Sequence, residues 1–255
     1  SDAALGAGRK GDVQAIANLA AATGVFELDV VDDRGPGEVR IPRNWTPQMP
    51  SKWGEPANPL EGATKAERRA WSKKHQAKPV RTWSSSNVRY LLGNGRINEA
   101  DAILGHLHAV TGEVVHGEER GRSIGFPTAN LGASITGYLP VDGVYAGWLV
   151  DFGKAPANAG LEDRVELVRN AVGAQRWPAA ISIGTKPTFS EATGRHERVV
   201  EAYCLSEDWL ELYGHTVRVE FAGFLRPQVK FGSADELVAE LKRNVQTTRE
   251  ITSRQ

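Results

Sequence analysis

The chain has 255 residues, and its Lys+Arg and Asp+Glu counts are both 31, so its formal charge is zero. That balance gives no general electrostatic case for nucleic acid or an anionic membrane as a partner, and no apolar run approaches the roughly 20 residues of a membrane span. One cysteine, Cys204, excludes an internal disulfide framework and fits a reducing compartment; without a basic-then-apolar leader, the expectation is a cytoplasmic protein of one large or two modest domains.

Residues 11 to 31 predict a helix, with Val13, Ile16, Leu19 and Ala20 on one face and Gly24 as its stop, followed by an apolar strand from Val25 to Val31. Together these form an α/β fragment. Residues 32 to 81 hold seven of the thirteen prolines, Trp45, Trp53 and Trp71, and a basic run from Lys65 to Arg81. A solvated helix is expected over Ala63 to Lys78, its charges facing water rather than RNA given the neutral whole. The tryptophans are expected to pin this insertion to a neighbouring surface. Ser84, Ser85 and Ser86 are caps for a helix from Asn87 to Leu92, Gly93-Asn94-Gly95 is its stop, and Asn98 is the expected cap of the next short helix.

From about residue 109 the pattern changes to that of an antiparallel barrel. Strands are predicted at Val110 to His116, Gly143 to Val150, Ala179 to Ile183, Arg198 to Leu205 and Thr216 to Leu225, with Gly and Pro turn signals between them. In the last, Val217, Val219 and Phe221 alternate with Arg218 and Glu220, which gives one buried and one wet face. Lys154 to Trp177 reads as an excursion, helical around Leu161 to Val172. Ser233 and Glu236 form a capping box ahead of Leu237, Leu241 and Val245 at helical spacing, so a C-terminal helix should close over the barrel. The six histidines show no spacing that suggests a transition-metal site; His106 and His108 are expected at the surface or between the two parts.

The stretch Arg120-Gly121-Arg122-Ser123-Ile124-Gly125-Phe126-Pro127-Thr128-Ala129-Asn130 carries the chemistry. Gly121 and Gly125 let backbone N–H groups approach phosphate oxygens without a Cβ in the way, and Arg120 and Arg122 add charge beside them. Thr128 and Asn130 each offer a neutral oxygen to Mg²⁺. Glycines alone would equally fit a tight turn between two strands. The full string, however, closely resembles the signature of the riboflavin kinase family, the module that often forms the C-terminal half of bacterial bifunctional riboflavin kinase/FMN adenylyltransferases. Pro140 to Gly147 resembles that family's PxDGVYA strand and Ser182 to Phe189 its xxGxNPTF segment. Val200 to Leu205, Leu212 to His215, Phe224 to Pro227 and Lys230-Phe231 follow in the family's order.

A second resemblance lies upstream. Trp83 to Arg89, Leu91-Leu92 and Ala102 to Gly105 are similar to the end of the FMN adenylyltransferase module, as is Gly6 to Asp12 to an earlier segment of it. The GxFDGxHxGH string of that module's nucleotide site does not occur, and Ser86 stands where Thr is usual. The two resemblances together imply a mainly β protein: a six-stranded antiparallel Greek-key barrel at 108–255, with a C-terminal helix, preceded at 1–107 by a partial α/β, nucleotidyltransferase-like region with its insertion at 32–81.

The implied activity is transfer of the ATP γ-phosphoryl group to riboflavin, with Mg²⁺ as cofactor, riboflavin and ATP as partners and FMN and ADP as products. An adenylyltransferase making FAD and a non-catalytic flavin-binding barrel are the alternatives. In the resemblance, Thr128 and Asn130 bind the metal and the ATP phosphates, Gly121, Arg122 and Gly125 belong to the phosphate loop, Glu201 is the catalytic base and Arg226 helps hold the flavin. From the residues alone, Glu201 reads as well as a wet-face partner of Arg198 or Arg218, and Arg226 as well as a salt-bridged surface residue. Lys186, where the family has Asn, and Asn244, where Asp is common, depart from the pattern.

Overall fold

Twelve-residue runs that alternate apolar and polar side chains, separated by glycine and proline turns, dominate the second half of the chain, and they roll up into a barrel. The computed structural model describes residues 11–30, 37–43, 60, 62–117, 125–156, 159–170, 173–186 and 197–254. The barrel strands are β3 (His108–Val115), β4 (Ala129–Leu131), β5 (Gly143–Lys154), β6 (Gln175–Lys186), β7 (Glu197–Cys204) and β8 (His215–Arg226). They close in the order β3-β4-β7-β6-β5-β8, every neighbour pair antiparallel. Within this circle β5, β6 and β7 are consecutive neighbours and β8 returns beside β5, which is the Greek-key arrangement. Closure leaves no unpaired sheet edge.

The inner face is built by period-two alternation. Val217, Val219 and Phe221 of β8 are fully buried beside Val110, Tyr145, Leu149, Ile181, Ile183 and Val200, each large apolar side chain contributing about 1.5–3 kcal/mol on removal from water. Where strands come closest, only glycine fits: a Cβ on Gly147 would stand 1.9 Å from the Glu220 carbonyl oxygen.

Ahead of the barrel lie α1 (Val13–Thr23), a two-stranded ladder of β1 (Glu38–Pro42) and β2 (Ala77–Arg81) around α2 (Lys65–Lys74), then α3 (Ser85–Leu92) and α4 (Ile97–Leu104). Leu91, Leu92, Ile97 and Ala100 belong to the same hydrophobic cluster as the barrel interior, and Val141 N–H donates to the Leu92 carbonyl at 3.0 Å. On the far side, α5 (Leu161–Asn170) lies between β5 and β6, and α6 (Ala234–Thr252) packs across the outside of β5, β6 and β8. Ile251 of α6 rests on Val144, Ala146 and Leu225.

Several expectations need correction. Val25 to Val30 form no strand; Val25 is 82% exposed, and a strand without a neighbour to share its hydrogen bonds has little to hold it. The helix expected to reach Lys78 ends at Lys74, because Pro79 and the β-branched Val80 suit the extended ladder with β1 that follows. Asn98 does not cap α4: Arg96 holds that position without a side-chain bond. The caps at Ser84 and Ser233 accept from Asn87 N–H and Glu236 N–H at 3.2 Å each, but the capping box expected at Ser233 is incomplete, because the Glu236 carboxylate accepts from Gly232 N–H at 2.8 Å. His108 is buried rather than superficial, its Nε2 2.7 Å from the Tyr138 carbonyl and its ring stacked on Phe221. Of the three tryptophans, Trp71 stacks on His75; Trp45 and Trp53 lie outside the described residues.

Candidate active site

Pro127 fixes its own φ, and the chain runs on as the short strand β4. Ala129 and Leu131 turn into the core, so Asn130 between them turns outward. The register then assembles a row on the outside of the barrel. Asn130 stands opposite Glu201 of β7, Glu201 opposite Ser182 of β6, Ser182 opposite Val144 of β5, and Val144 opposite Arg226 of β8. Val200 and Ala202, which flank Glu201, are fully buried inside, so the carboxylate shares the outer face with Asn130. With strands about 4.8 Å apart, the path from Asn130 to Arg226 through these four ladders is roughly 19 Å and follows most of the circumference of the six-stranded circle.

At the Asn130 end, Nδ2 donates to the Thr128 carbonyl at 3.2 Å and to Thr128 Oγ1 at 3.3 Å. A carbonyl only accepts, so the amide nitrogen faces Thr128 and Oδ1 faces away. Gly117 lies directly against this amide: a Cβ there would be 2.5 Å from Asn130 Cγ. Thr128, Asn130, Gly117 and Gly125 line a cleft of about 310 Å³ whose other wall carries Tyr203, Trp209, Leu210 and Tyr213. Gly125 has φ +84°, a left-handed conformation that suits glycine. His116 stacks on Tyr213 with centroids 3.8 Å apart, and Phe126 meets Tyr203 edge-on. Cys204, half-buried on the same wall, has its thiol pushed up to about 12, by burial first and by Asp151 second. It is no nucleophile. Gly121 and Arg122, with Arg120, lie outside the described residues, as do Pro187, Thr188 and Phe189.

At the other end Arg226 is 7% exposed. Its Nε is 3.0 Å from Glu240 Oε1 and 3.4 Å from Asn244 Oδ1, both on α6, and its guanidinium lies over Phe231. Burial pulls this guanidinium below its ordinary pKa and Glu240 opposes the shift. Arg226 therefore ties α6 to the barrel, buried rather than superficial, with Glu240 supplying the negative charge that Asn244 does not. Asn244 Nδ2 and Thr248 Oγ1 are buried nearby without a hydrogen-bond partner among the described residues. On the same outer face Arg198 pairs with Asp142, Nε to Oδ1 2.7 Å, and Arg218 with Glu220, Nε to Oε1 2.9 Å.

The sequence profile of the riboflavin kinase (flavokinase) family matches residues 104–252, which include every barrel strand and α6. The chain belongs to the riboflavin kinase family. Its curated relatives include bifunctional riboflavin kinase/FMN adenylyltransferases of Listeria monocytogenes, 31% identical over 65% of this chain and 45% of the relative, and of Escherichia coli K12, 34% identical over 66% and 45%. The chain thus spans about half the length of the curated relatives it matches. Among solved structures, a riboflavin kinase from Trypanosoma brucei is 27% identical, covering 57% of this chain and 79% of that one, with a TM-score of 0.37.

Within the riboflavin kinase match, the motifs single out Thr128, Asn130, Glu201 and Arg226; the barrel register sets Asn130, Glu201 and Arg226 on one transverse row, and Thr128 joins it through the Asn130 amide. Gly125 lies at the cleft mouth beside them. Gly117, Trp209 and Gln228 were not singled out. Gly117 shows its importance only through the backbone's approach to Asn130, which no local pattern encodes. Trp209 and Tyr213 come from the β7–β8 connection, whose side of the barrel follows from strand order rather than from residue type.

Proposed function

We propose that this chain is a riboflavin kinase, transferring the γ-phosphoryl group of ATP to the 5′-hydroxyl of riboflavin to yield FMN and ADP. The observation that carries the reading is the row itself. It sets Asn130, a carboxylate and a buried arginine on one hydrogen-bonded row around the outside of the barrel, with Thr128 bonded to Asn130 at its start. ATP occupies the cleft, its base against the Trp209–Tyr213 wall and its phosphates toward Thr128 and Asn130. Gly121, Arg122 and Gly125 are assigned to the phosphate loop in this reading. The flavin lies toward Arg226 and α6, and its ribityl chain reaches back to Glu201.

Thr128 Oγ1 and Asn130 Oδ1 are hard neutral oxygens of the kind Mg²⁺ accepts beside substrate phosphates. When bound there, Mg²⁺ supplies neutralisation of phosphate charge. The protein's own residues do the rest. Glu201 accepts the proton of the 5′-hydroxyl as its oxygen bonds to the γ-phosphorus, and the bond from that phosphorus to the β,γ-bridging oxygen breaks to release ADP. Residues 108–255 make up the kinase domain in this reading, and residues 1–107 are the tail of an adenylyltransferase-like α/β module with its insertion at 32–81. No helix among the described residues is long and apolar enough to cross a membrane.

Incubation with riboflavin, ATP and Mg²⁺, followed by chromatographic separation of riboflavin, FMN and FAD, tests this. FMN should accumulate without FAD, and omission of Mg²⁺ should stop the reaction. Unchanged riboflavin with a folded protein would reject the kinase reading; abundant FAD from FMN would favour the adenylyltransferase.

A further inference from the structure

Gln228, two residues beyond Arg226 and just past the end of β8, reaches back over β5 and β6. Its Nε2 lies 2.8 Å from the Ile183 carbonyl, 2.9 Å from Ser182 Oγ and 3.4 Å from the Gly143 carbonyl. Two of these three neighbours are carbonyls, which accept and never donate, so the atom facing them is the amide nitrogen. Its hydrogens go to Ile183 and Ser182, the two shorter contacts. One acceptor and one donor are left over. Gln228 Oε1 accepts no hydrogen bond among the described residues, and Ser182 Oγ, which accepts from Gln228, gives its own proton to no acceptor among them. Both side chains are half-buried on the outside of the barrel, and the buried polar atoms that lack a partner among the described residues do not include Oε1. The free acceptor is therefore open to solvent.

We propose that Gln228 Oε1 and the Ser182 hydroxyl form a polyol site, an acceptor and a donor side by side, that holds secondary hydroxyls of the ribityl chain of riboflavin. This rests on the reading of riboflavin as substrate, with its flavin toward Arg226 and its 5′-hydroxyl at Glu201. Ser182 faces Glu201 across one ladder, and Gln228 follows Arg226 by two residues, so the pair lies between the places assigned to the two ends of that substrate. A secondary alcohol both donates and accepts, and neighbouring alcohols on one chain match an acceptor set beside a donor. An apolar chain in the same place would strip both groups of water and return no hydrogen bond. The site is also fixed before substrate arrives. With its nitrogen tied to β6 through Ser182 and Ile183, the Gln228 amide has little freedom left to lose on binding.

Flavin affinity, read by fluorescence quenching, and the kinetics of FMN formation test this on the parent, Gln228→Leu and Ser182→Ala, each with a thermal melt. Binding is measured with riboflavin and with a flavin that carries a hydroxypentyl chain in place of ribityl, which keeps the terminal alcohol and lacks the secondary ones. Two neutral hydrogen bonds predict that the parent binds riboflavin at least about fivefold more tightly than the hydroxypentyl flavin. Each variant should bind riboflavin about 2- to 10-fold more weakly and the hydroxypentyl flavin within about twofold of the parent, so the preference narrows. KM for riboflavin should rise with the dissociation constant while KM for ATP stays unchanged. Parental riboflavin affinity in both folded variants overturns the polyol site. So does an equal loss for both flavins, which is what a purely structural tie between β5, β6 and the segment after β8 would give. FMN formation by the parent leaves the kinase reading standing in either case. A parent that makes FMN but binds the two flavins equally well also overturns the site, and that comparison decides should neither variant fold. A folded parent that binds neither flavin removes the riboflavin reading and this proposal with it.

Discussion

Replacing Gly117 by alanine perturbs the Asn130 end of the row without replacing any residue proposed to hold the metal. The new Cβ would lie 2.5 Å from both Asn130 Cγ and Nδ2 and 2.6 Å from Oδ1. Non-bonded carbons settle at about 3.5–4.0 Å, so the amide must retreat by roughly 1 Å. Its bonds to Thr128, at 3.2 and 3.3 Å, are already at the long end and would break. Misplacement of about 1 Å at a positioning group costs about 10²-fold in rate, so kcat/KM for FMN formation should fall by that order and the Mg²⁺ concentration for half-maximal rate should rise. Overpacking costs about 1–3 kcal/mol of stability, a Tm loss of roughly 2–12 °C for a protein of this size, so the fold survives. The assay is FMN formation across a Mg²⁺ titration, with a melt recorded by circular dichroism. A folded Gly117→Ala protein with parental rate and parental Mg²⁺ dependence would refute the placement of Asn130 in the phosphate end of the site.

Thr128→Ala and Asn130→Ala should each abolish most ATP-dependent turnover while the melt stays close to parental, and near-normal rates in both would make this strand a structural element only. Glu201→Gln keeps shape and loses the base, so kcat should fall by roughly 10²–10⁴-fold with riboflavin affinity, read by flavin fluorescence, changed less than about tenfold. Asp101 accepts from His108 N–H at 2.6 Å through Oδ1 while Oδ2 is buried without a hydrogen-bond partner among the described residues; burial raises its pKa to about 6, against the bond from His108 and the nearby His106. A carboxyl with a folded pKa above its unfolded one binds its proton more tightly in the folded state, so stability falls as pH rises from about 4 to about 6. Asp101→Asn should therefore flatten Tm across that window and raise it relative to the parent at pH 7.5; an unchanged slope would contradict it. Gly147→Ala forces a Cβ to 1.9 Å from the Glu220 carbonyl and should leave little folded protein at 37 °C by circular dichroism.

The barrel was readable where alternation is strong. Val217, Val219 and Phe221 announce an inward face, and the structure buries all three completely. β4 was not, because three residues, Ala129 to Leu131, are too few to show a period, and they lie inside a string whose glycines read as a loop. The β1–β2 ladder was hidden for the opposite reason: Ala77 to Arg81 follows a well-capped basic helix, and only its partner strand far upstream makes it extended. Motifs point to Thr128, Asn130, Glu201 and Arg226 one at a time, but the row that Asn130, Glu201 and Arg226 share depends on pairing across five strands. The alternation of each strand constrains its register, but which strands become neighbours around the barrel is a tertiary property that no local pattern encodes. Gln228 and Gly117 owe their places to tertiary approach in the same way.

The fate of individual phosphates tests the kinase account most directly. The protein should be incubated with riboflavin, Mg²⁺ and ATP labelled either at the γ-phosphate or at the α-phosphate, and the flavins separated. The account predicts γ-label in FMN and no α-label in any flavin. Label appearing only in inorganic phosphate, or α-label appearing in FAD with none of the γ-label in FMN, would contradict it.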